Sequence, residues 1–416
     1  MTIWQNSLRS YAFTIILMAS IILGGATGYC FGAETKWLKP LGDIFLNLML
    51  TTLVPLIFFN VSSAIARIGS VGKLGRIFSA MAMVFIFTGI VAASLTLLVM
   101  ALFPPAQGVA LMLDLSSKPV STGFLNHITG IFTVTDFSKL LSHEHMLALI
   151  VFAILVGLAA SSRDDTKNNS FVLMLKSGEE VFMRVFSLIM LYAPIGFFAY
   201  FATLISELGP ALVHSYVRVA LTYYIFAIAY FIFAYTAYAY IAGNTVGITL
   251  FWKNVFLPAA TAIATCSSAA SIPANLVATS RMHVSTTIVE TAIPLGSIIH
   301  KDGSVIGGVV KIAFLFGLFH LQFSGMSVLL TALGVSLLVG TVMGAIPSGG
   351  MLGELLILTA YGLPPSALIA IAAISIIIDP IATMLNVTGN SVSAMMVARL
   401  VDGKKWLRTQ PNISTN

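Results

Sequence analysis

The chain is short of charge. Of its 416 residues only 9% are Asp, Glu, Lys or Arg, while 58% are apolar. An average soluble domain is about 25% charged and about 45–50% apolar. A water-soluble globule of this length cannot hide so much apolar surface, because folded chains still expose a large area. The shortage excludes a soluble enzyme, a nucleic-acid-binding protein and a disordered chain. Cysteine is scarce as well. Cys30 and Cys266 lie far apart in apolar stretches, which excludes a disulfide framework and a cysteine-based metal cluster. No GxxxxGK[ST] loop is present, so no nucleotide site is expected. A serine–lysine hydrolase pairing Ser267 or Ser268 with Lys301 is the enzymatic alternative, but neither a general-base constellation nor a GxSxG-like elbow accompanies it. The chain is therefore expected not to be an enzyme, to have no catalytic residues and to need no cofactor.

What is present is apolar length. Runs without Asp, Glu, Lys or Arg occupy 10–33, 44–66, 77–113, 146–162, 185–206, 219–252, 312–353, 355–378 and 380–398. A membrane span takes about 20 apolar residues. The first run, with 24 residues, is longer than the apolar core of a cleavable signal. Pro104-Pro105 should end a helix near Phe103. The pattern predicts an all-α polytopic membrane protein with eight transmembrane helices plus re-entrant pieces. The net charge of +6 comes from basic residues between the runs. Arg9, Arg67, Lys73, Arg76, Arg163, Lys167, Lys176, Lys253, Arg399, Lys404, Lys405 and Arg408 fall on one side if both termini are cytoplasmic, with Lys36 and Lys39 opposite. Seven of the 12 tyrosines lie between Tyr216 and Tyr240, a cluster expected to serve interfacial and interhelical packing.

The last 160 or so residues break the helical pattern twice in the same order. Thr265-Cys-Ser-Ser-Ala-Ala-Ser-Ile-Pro273 is followed by a helix interrupted at His300-Lys-Asp-Gly-Ser304. Gly344-Ala-Ile-Pro-Ser-Gly-Gly350 is followed by a helix carrying Asn386-Val-Thr-Gly-Asn-Ser391. Backbone freed by small residues and proline cannot face lipid. Paired Gly/Pro-interrupted segments point to two re-entrant hairpins in inverted repeats around a midplane transport site. Exposed amides near Ser267 and Ser268 suit a carboxylate. Asp379, Thr383 and Asn386 are spaced i, i+4, i+7 on one helical face, extended by Asn390. A carboxylate, a hydroxyl and two amides in a stripe suit a zwitterion. Glu290, Lys301, Asp302, Lys311, Glu354 and Asp379, with His300 and His320, are too many ionisable groups for packing alone. Glu354 is expected to snorkel at the hairpin rim, and Glu290 to pair with Lys301 or Lys311 or to act as a proton site.

Over nearly its whole length the chain resembles the dicarboxylate/amino acid:cation symporter family, which includes glutamate transporter homologues. The resemblance rests on Val54-Pro-Leu-Ile-Phe-Phe59, Tyr192-Ala-Pro-Ile-Gly196, Ser267-Ser-Ala-Ala-Ser-Ile-Pro273, Pro294-Leu-Gly296 and Asn386-Val-Thr-Gly389. It implies a homotrimer in the plasma (inner) membrane, contacting lipid and a small amino acid or carboxylate but no nucleic acid. It implies scaffold helices one and two over 1–76, transport-domain helix three over 77–104, and scaffold helices four and five over 105–208. The rest of the transport domain spans 209–402, and 403–416 forms a cytoplasmic tail. The transport domain would cross the bilayer as an elevator, with the outer hairpin around Ile346-Pro347 as the extracellular gate. Substrate would meet Ser267, Ser268, Ile346, Pro347, Gly350, Asp379, Ala382, Thr383 and Asn386. The coupling cation would involve Thr88, Gly296, His300, Lys301, Asp302, Asn386 and Asn390, with sodium at Asp302, Asn386 and Asn390.

The chain also departs from the family it resembles. An arginine that binds an acidic side chain in relatives would fall at Cys266 or Ala382, and neither is a cation. An acidic side chain would be desolvated without a partner, so a small neutral amino acid is expected, with an acidic amino acid or dicarboxylate as the alternative. The seventh-helix motif Asn-Met-Asp-Gly-Thr reads His300-Lys301-Asp302-Gly303-Ser304 here, an eighth-helix Asp is Asn390, and third-helix Tyr and Ser positions are Phe85 and Gly89, with Thr88 kept. Lys301 is expected to stand where a sodium ion would, neutralising Asp302 and carrying a proton. Coupling to protons, coupling to sodium, and an uncoupled or channel-like carrier remain open from the sequence.

Overall fold

The computed structural model describes residues 3–68, 75–105, 133–142, 145–161, 170–208, 210–342, 350–364 and 367–408. Among the described residues the chain is helical, with no strand. The α-helices are α1 (Ile3–Phe31), α2 (Lys39–Ile68), α3 (Gly75–Leu102), the short α4 (Phe137–Leu140), α5 (Met146–Ser161), α6 (Ser170–Leu208) and α7 (Pro210–Asn254). They continue with α8 (Phe256–Thr265), α9 (Ile272–Arg281), α10 (Thr286–Ile299), α11 (Asp302–Leu318), α12 (Met326–Val342), α13 (Gly350–Ala360) and α14 (Ala367–Val401). A 3₁₀ segment, Gly403–Arg408, follows. Ile15–Phe45, Gly75–Leu102, Ser170–Ser206, His214–Asn254 and Ala367–Val401 are long and apolar enough to cross a membrane, and α2 and α5 add shorter apolar stretches at Val54–Ser63 and Ala148–Ala160. As the diproline requires, α3 stops at Leu102.

Packing follows the apolar pattern. Helices α1, α2, α5 and α6 pack mainly on one another. The remaining long helices gather around α11 and α14. Both central helices are apolar nearly all round, and α11 is buried from Asp302 to Phe316. A helix without a polar face belongs inside a bundle.

Helix α7 is not continuous. Gly243 (φ −147°, ψ 22°) and Asn244 (φ 53°, ψ −144°) leave the helical region. Asparagine tolerates positive φ better than most residues. The chain folds back there: Trp252 Nε1 donates to Thr236 Oγ1 at 3.0 Å, and the Phe231 and Trp252 rings meet edge to face at 5.2 Å. The expected first hairpin therefore runs up Thr245–Thr265, turns at Cys266–Ser271 and returns along α9. Cys266 takes the left-handed conformation (φ 46°, ψ 32°) that ends α8. His320, also left-handed (φ 52°), is exposed and closes α11. It serves there as a helix end. The tip of the second hairpin, with Ile346 and Pro347, lies outside the described residues, and Gly350 opens α13.

Candidate functional site

The interruption between α10 and α11 organises the site. His300 (φ −121°, ψ 111°) is extended, and Lys301 (φ −146°, ψ 76°) lies outside both the helical and the strand regions.

His300 enters the first cluster. Its Nε2 lies 2.7 Å from Thr88 Oγ1 and 3.3 Å from Asp302 Oδ1, and its Nδ1 lies 2.8 Å from Asn390 Oδ1. The Thr88 hydroxyl donates to the Phe85 carbonyl at 3.3 Å, leaving its oxygen to accept from the ring. The ring hydrogen-bonds Thr88 Oγ1 and Asn390 Oδ1, while its contact with Asp302 Oδ1 is one of proximity. Phe85 stacks on the imidazole, with centroids 4.3 Å apart and planes 18° apart. Thr88, His300, Asp302 and Asn390 are all buried. Gly296 makes room for the cluster, since a Cβ there would run into Asn390 Oδ1.

Lys301 does not neutralise Asp302. It forms no ion pair among the described residues, and the group against Asp302 is the adjacent imidazole. Gly303 packs on the Ala382 backbone, which sets the break that holds Lys301 against the stretch of α14 that holds Asp379. Asp379 Oδ1 accepts from Thr383 Oγ1 at 3.2 Å. The arm of the first hairpin that ends at Cys266 packs along α14, the helix that carries Asp379. Ser267 and Ser268 sit at the tip of that hairpin. Ser267 Oγ accepts from the Ala270 amide at 3.2 Å, and Ser268 is buried.

The helical stripe predicted on α14 is thus divided between two clusters. Asp379 and Thr383 are hydrogen-bonded to each other, whereas Asn390 meets His300. Asn386 lies between them and holds the start of α11: its Oδ1 accepts from the Ser304 amide at 3.2 Å, and its Nδ2 donates to Ser304 Oγ at 3.2 Å. Of the sodium set expected at Asp302, Asn386 and Asn390, Asp302 and Asn390 meet at His300, and the Asn386 carboxamide is engaged with Ser304. Ala382 is buried on α14, and Gly303 packs so closely against it that a Cβ would strike the Ala382 carbonyl.

Several supporting residues escape a reading of the sequence. The tyrosines of α7 form a ladder of donors: Tyr216 to the Ala370 carbonyl (2.9 Å), Tyr223 to Gly303 (2.9 Å), Tyr224 to Ile377 (2.8 Å) and Tyr235 to Leu385 (2.8 Å). The cluster was a visible signal, and its interhelical packing role is as expected. Its partners were not visible, including the 3.4 Å approach of Tyr235 Oη to Asp302 Oδ2. Asn275 of α9 donates to the Val387 carbonyl at 2.9 Å and accepts from the Ser391 hydroxyl, tying the first hairpin to α14. Two expectations are corrected. Glu354 does not snorkel: it is fully buried and pairs with Lys311 at 3.1 Å. Glu290 is exposed, so the partner of Lys311 is Glu354.

The chain is similar to known transport proteins. The chain is 26% identical over 415 residues to a proton/glutamate-aspartate symporter of Escherichia coli, covering 95% of this chain and 94% of the relative. It is 25% identical over 399 residues to a proton/sodium-glutamate symport protein of Bacillus caldotenax, covering 92% and 93%. It is 26% identical over 427 residues to a C4-dicarboxylate transport protein of Rhodopseudomonas palustris, covering 98% and 94%. The model of the sodium:dicarboxylate symporter family matches residues 13–400. The chain belongs to the sodium:dicarboxylate symporter family.

Proposed function

We propose that this symporter carries a small neutral amino acid, such as serine, alanine or threonine, together with a cation. One observation carries the reading: Gly303 packs on the Ala382 backbone, which sets the break holding buried Lys301 against the stretch of α14 holding half-buried Asp379, while Cys266 and Ala382 add no cation. A zwitterion complements that pair. Asp379 takes the ammonium and Lys301 the carboxylate, each as a charge-assisted hydrogen bond. A second carboxylate would be buried without a partner, at a cost of several kcal/mol. Lys301 thereby moves from the coupling role expected of it to a substrate role.

The names of the relatives favour a second reading, an acidic amino acid or C4-dicarboxylate. Under that reading Lys301 holds the additional carboxylate. Competition for uptake into proteoliposomes separates the two. Serine, alanine and threonine are expected to be carried and to compete with one another, with glutamate and succinate inert. Transport of glutamate or succinate with the neutral amino acids inert overturns the proposal.

Family membership supports coupling to sodium or protons. Uptake under a sodium gradient compared with uptake under a pH gradient identifies the ion. The separate packing of α1, α2, α5 and α6 from the helices around α11 and α14 supports an elevator in which 77–104 and 209–402 move against 1–76 and 105–208. We assign the protein to the plasma membrane as a homotrimer with both termini cytoplasmic, from the basic residues between the apolar runs and the family resemblance.

A further inference from the structure

We infer that His300 sets the ion specificity of this symporter: its imidazole is the resident of the oxygen cage made by Thr88, Asp302 and Asn390, and sodium is shut out of that cage by a side chain. The inference deepens the cation-symporter reading and rests on it for its meaning in transport. Occupancy of the cage is nonetheless a property that can be measured without transport.

Three oxygens from three helices converge on the ring. Thr88 Oγ1 comes from α3, Asp302 Oδ1 from α11 and Asn390 Oδ1 from α14, at 2.7, 3.3 and 2.8 Å from the ring nitrogens. Without the ring, two neutral oxygens and one carboxylate oxygen would surround a cavity. Hard cations take such oxygen ligands, and a carboxylate supplies the charge. With the ring in place, its nitrogens stand among the oxygens at 2.7, 2.8 and 3.3 Å, where an ion would otherwise be held.

The ring is also held. Phe85 covers one face at 4.3 Å, and the extended backbone at His300 aims the side chain into the cage. Asp302 Oδ1 is buried with no hydrogen-bonding partner among the described residues, the imidazole Nε2 stands 3.3 Å from it, and Tyr235 approaches the other carboxylate oxygen. A fixed hydrogen-bonding ring thus stands where a diffusible cation would otherwise be bound.

The test is thermal unfolding of the purified full-length protein in detergent, in sodium chloride against choline chloride at equal ionic strength. The variants are His300→Ala and His300→Asn, each with and without Asp302→Asn, together with Asp302→Asn alone. Opening the cage should let sodium raise the unfolding temperature of both His300 variants by about 3 °C or more beyond its effect on the parent. Adding Asp302→Asn should cancel the gain. In the parent, Asp302→Asn should leave the response to sodium unchanged. Two results overturn the inference. One is a sodium response of the parent that Asp302→Asn abolishes, since sodium would then already occupy the cage. The other is folded His300→Ala and His300→Asn proteins that gain no sodium response. If neither His300 variant folds, the parent and Asp302→Asn alone decide: an unchanged response supports the inference and a lost one refutes it. Because no arm reads uptake, failure of the neutral amino acid reading leaves this result intact.

Discussion

Lys311 Nζ lies 3.1 Å from Glu354 Oε1, and both side chains are sealed from solvent. The pair joins α11 to the returning arm of the second hairpin, and Ser375 of α14 donates to the same carboxylate oxygen. Removing one partner leaves a charge buried alone, at about 3–5 kcal/mol, whereas replacing both by apolar groups of similar volume is often neutral. Lys311→Met and Glu354→Leu should therefore each lower the unfolding temperature markedly, and the double substitution should recover most of the loss. Losses that simply add would show that the ion pair is not what joins these helices.

Much of this architecture is legible in the sequence because it depends on local chemistry. Small residues and proline mark the hairpin tip at Cys266–Ser271, and the polar His300–Ser304 stretch marks the interrupted helix. The i, i+4, i+7 spacing marks the face of α14. What the sequence leaves hidden is which side of the break each neighbour takes. His300 and Lys301 are adjacent, and only the folded break shows that the imidazole, not the ammonium, is the group set against Asp302 and Asn390. Pairings across large separations were equally hidden. Lys311 with Glu354, Asn275 with Val387, and Tyr235 with Leu385 each require knowing how helices cross, which periodicity within one helix does not encode.

Lys301 offers the sharpest check of the substrate site. If its ammonium receives the substrate carboxylate, Lys301→Met should weaken amino acid binding at least about tenfold, the loss of one charge-assisted hydrogen bond of about 1.5–3 kcal/mol. Lys301→Arg should keep part of the affinity. Asp379→Asn should weaken binding comparably by removing the partner of the ammonium. Binding can be followed through the substrate-dependent rise in unfolding temperature, which separates affinity from translocation. Unchanged affinity in Lys301→Met would remove the lysine from the substrate site.

Tyr235 and Tyr216 make the same bond to α14 in different company. Each donates to a backbone carbonyl, Leu385 and Ala370 respectively, but only Tyr235 also approaches Asp302. Replacing either by phenylalanine should cost about 1 kcal/mol of stability. Tyr235→Phe should in addition alter the cation dependence of the His300→Ala protein, whose cage is open to sodium, because it strips a polar neighbour from the Asp302 carboxylate. Tyr216→Phe should leave that dependence as it was. Indistinguishable cation profiles would reduce Tyr235 to one more rung of the ladder.

Residues 403–408, expected as the start of a cytoplasmic tail, are part of the fold. Trp406 is buried, and its indole Nε1 donates to the Ala242 carbonyl at 2.9 Å. That carbonyl precedes the Gly243–Asn244 break in α7, where the helical hydrogen-bond ladder is interrupted. The indole therefore fills space beside the break and supplies a donor to it. Trp406→Ala should cost about 3–5 kcal/mol through the lost packing and the cavity. Trp406→Phe keeps most of the bulk and should cost about 1–3 kcal/mol, the penalty of leaving a buried carbonyl without its donor. Unfolding temperatures should consequently fall in the order parent, Trp406→Phe, Trp406→Ala. An alanine variant as stable as the parent would mean that the α7 break holds its shape without the C-terminal segment.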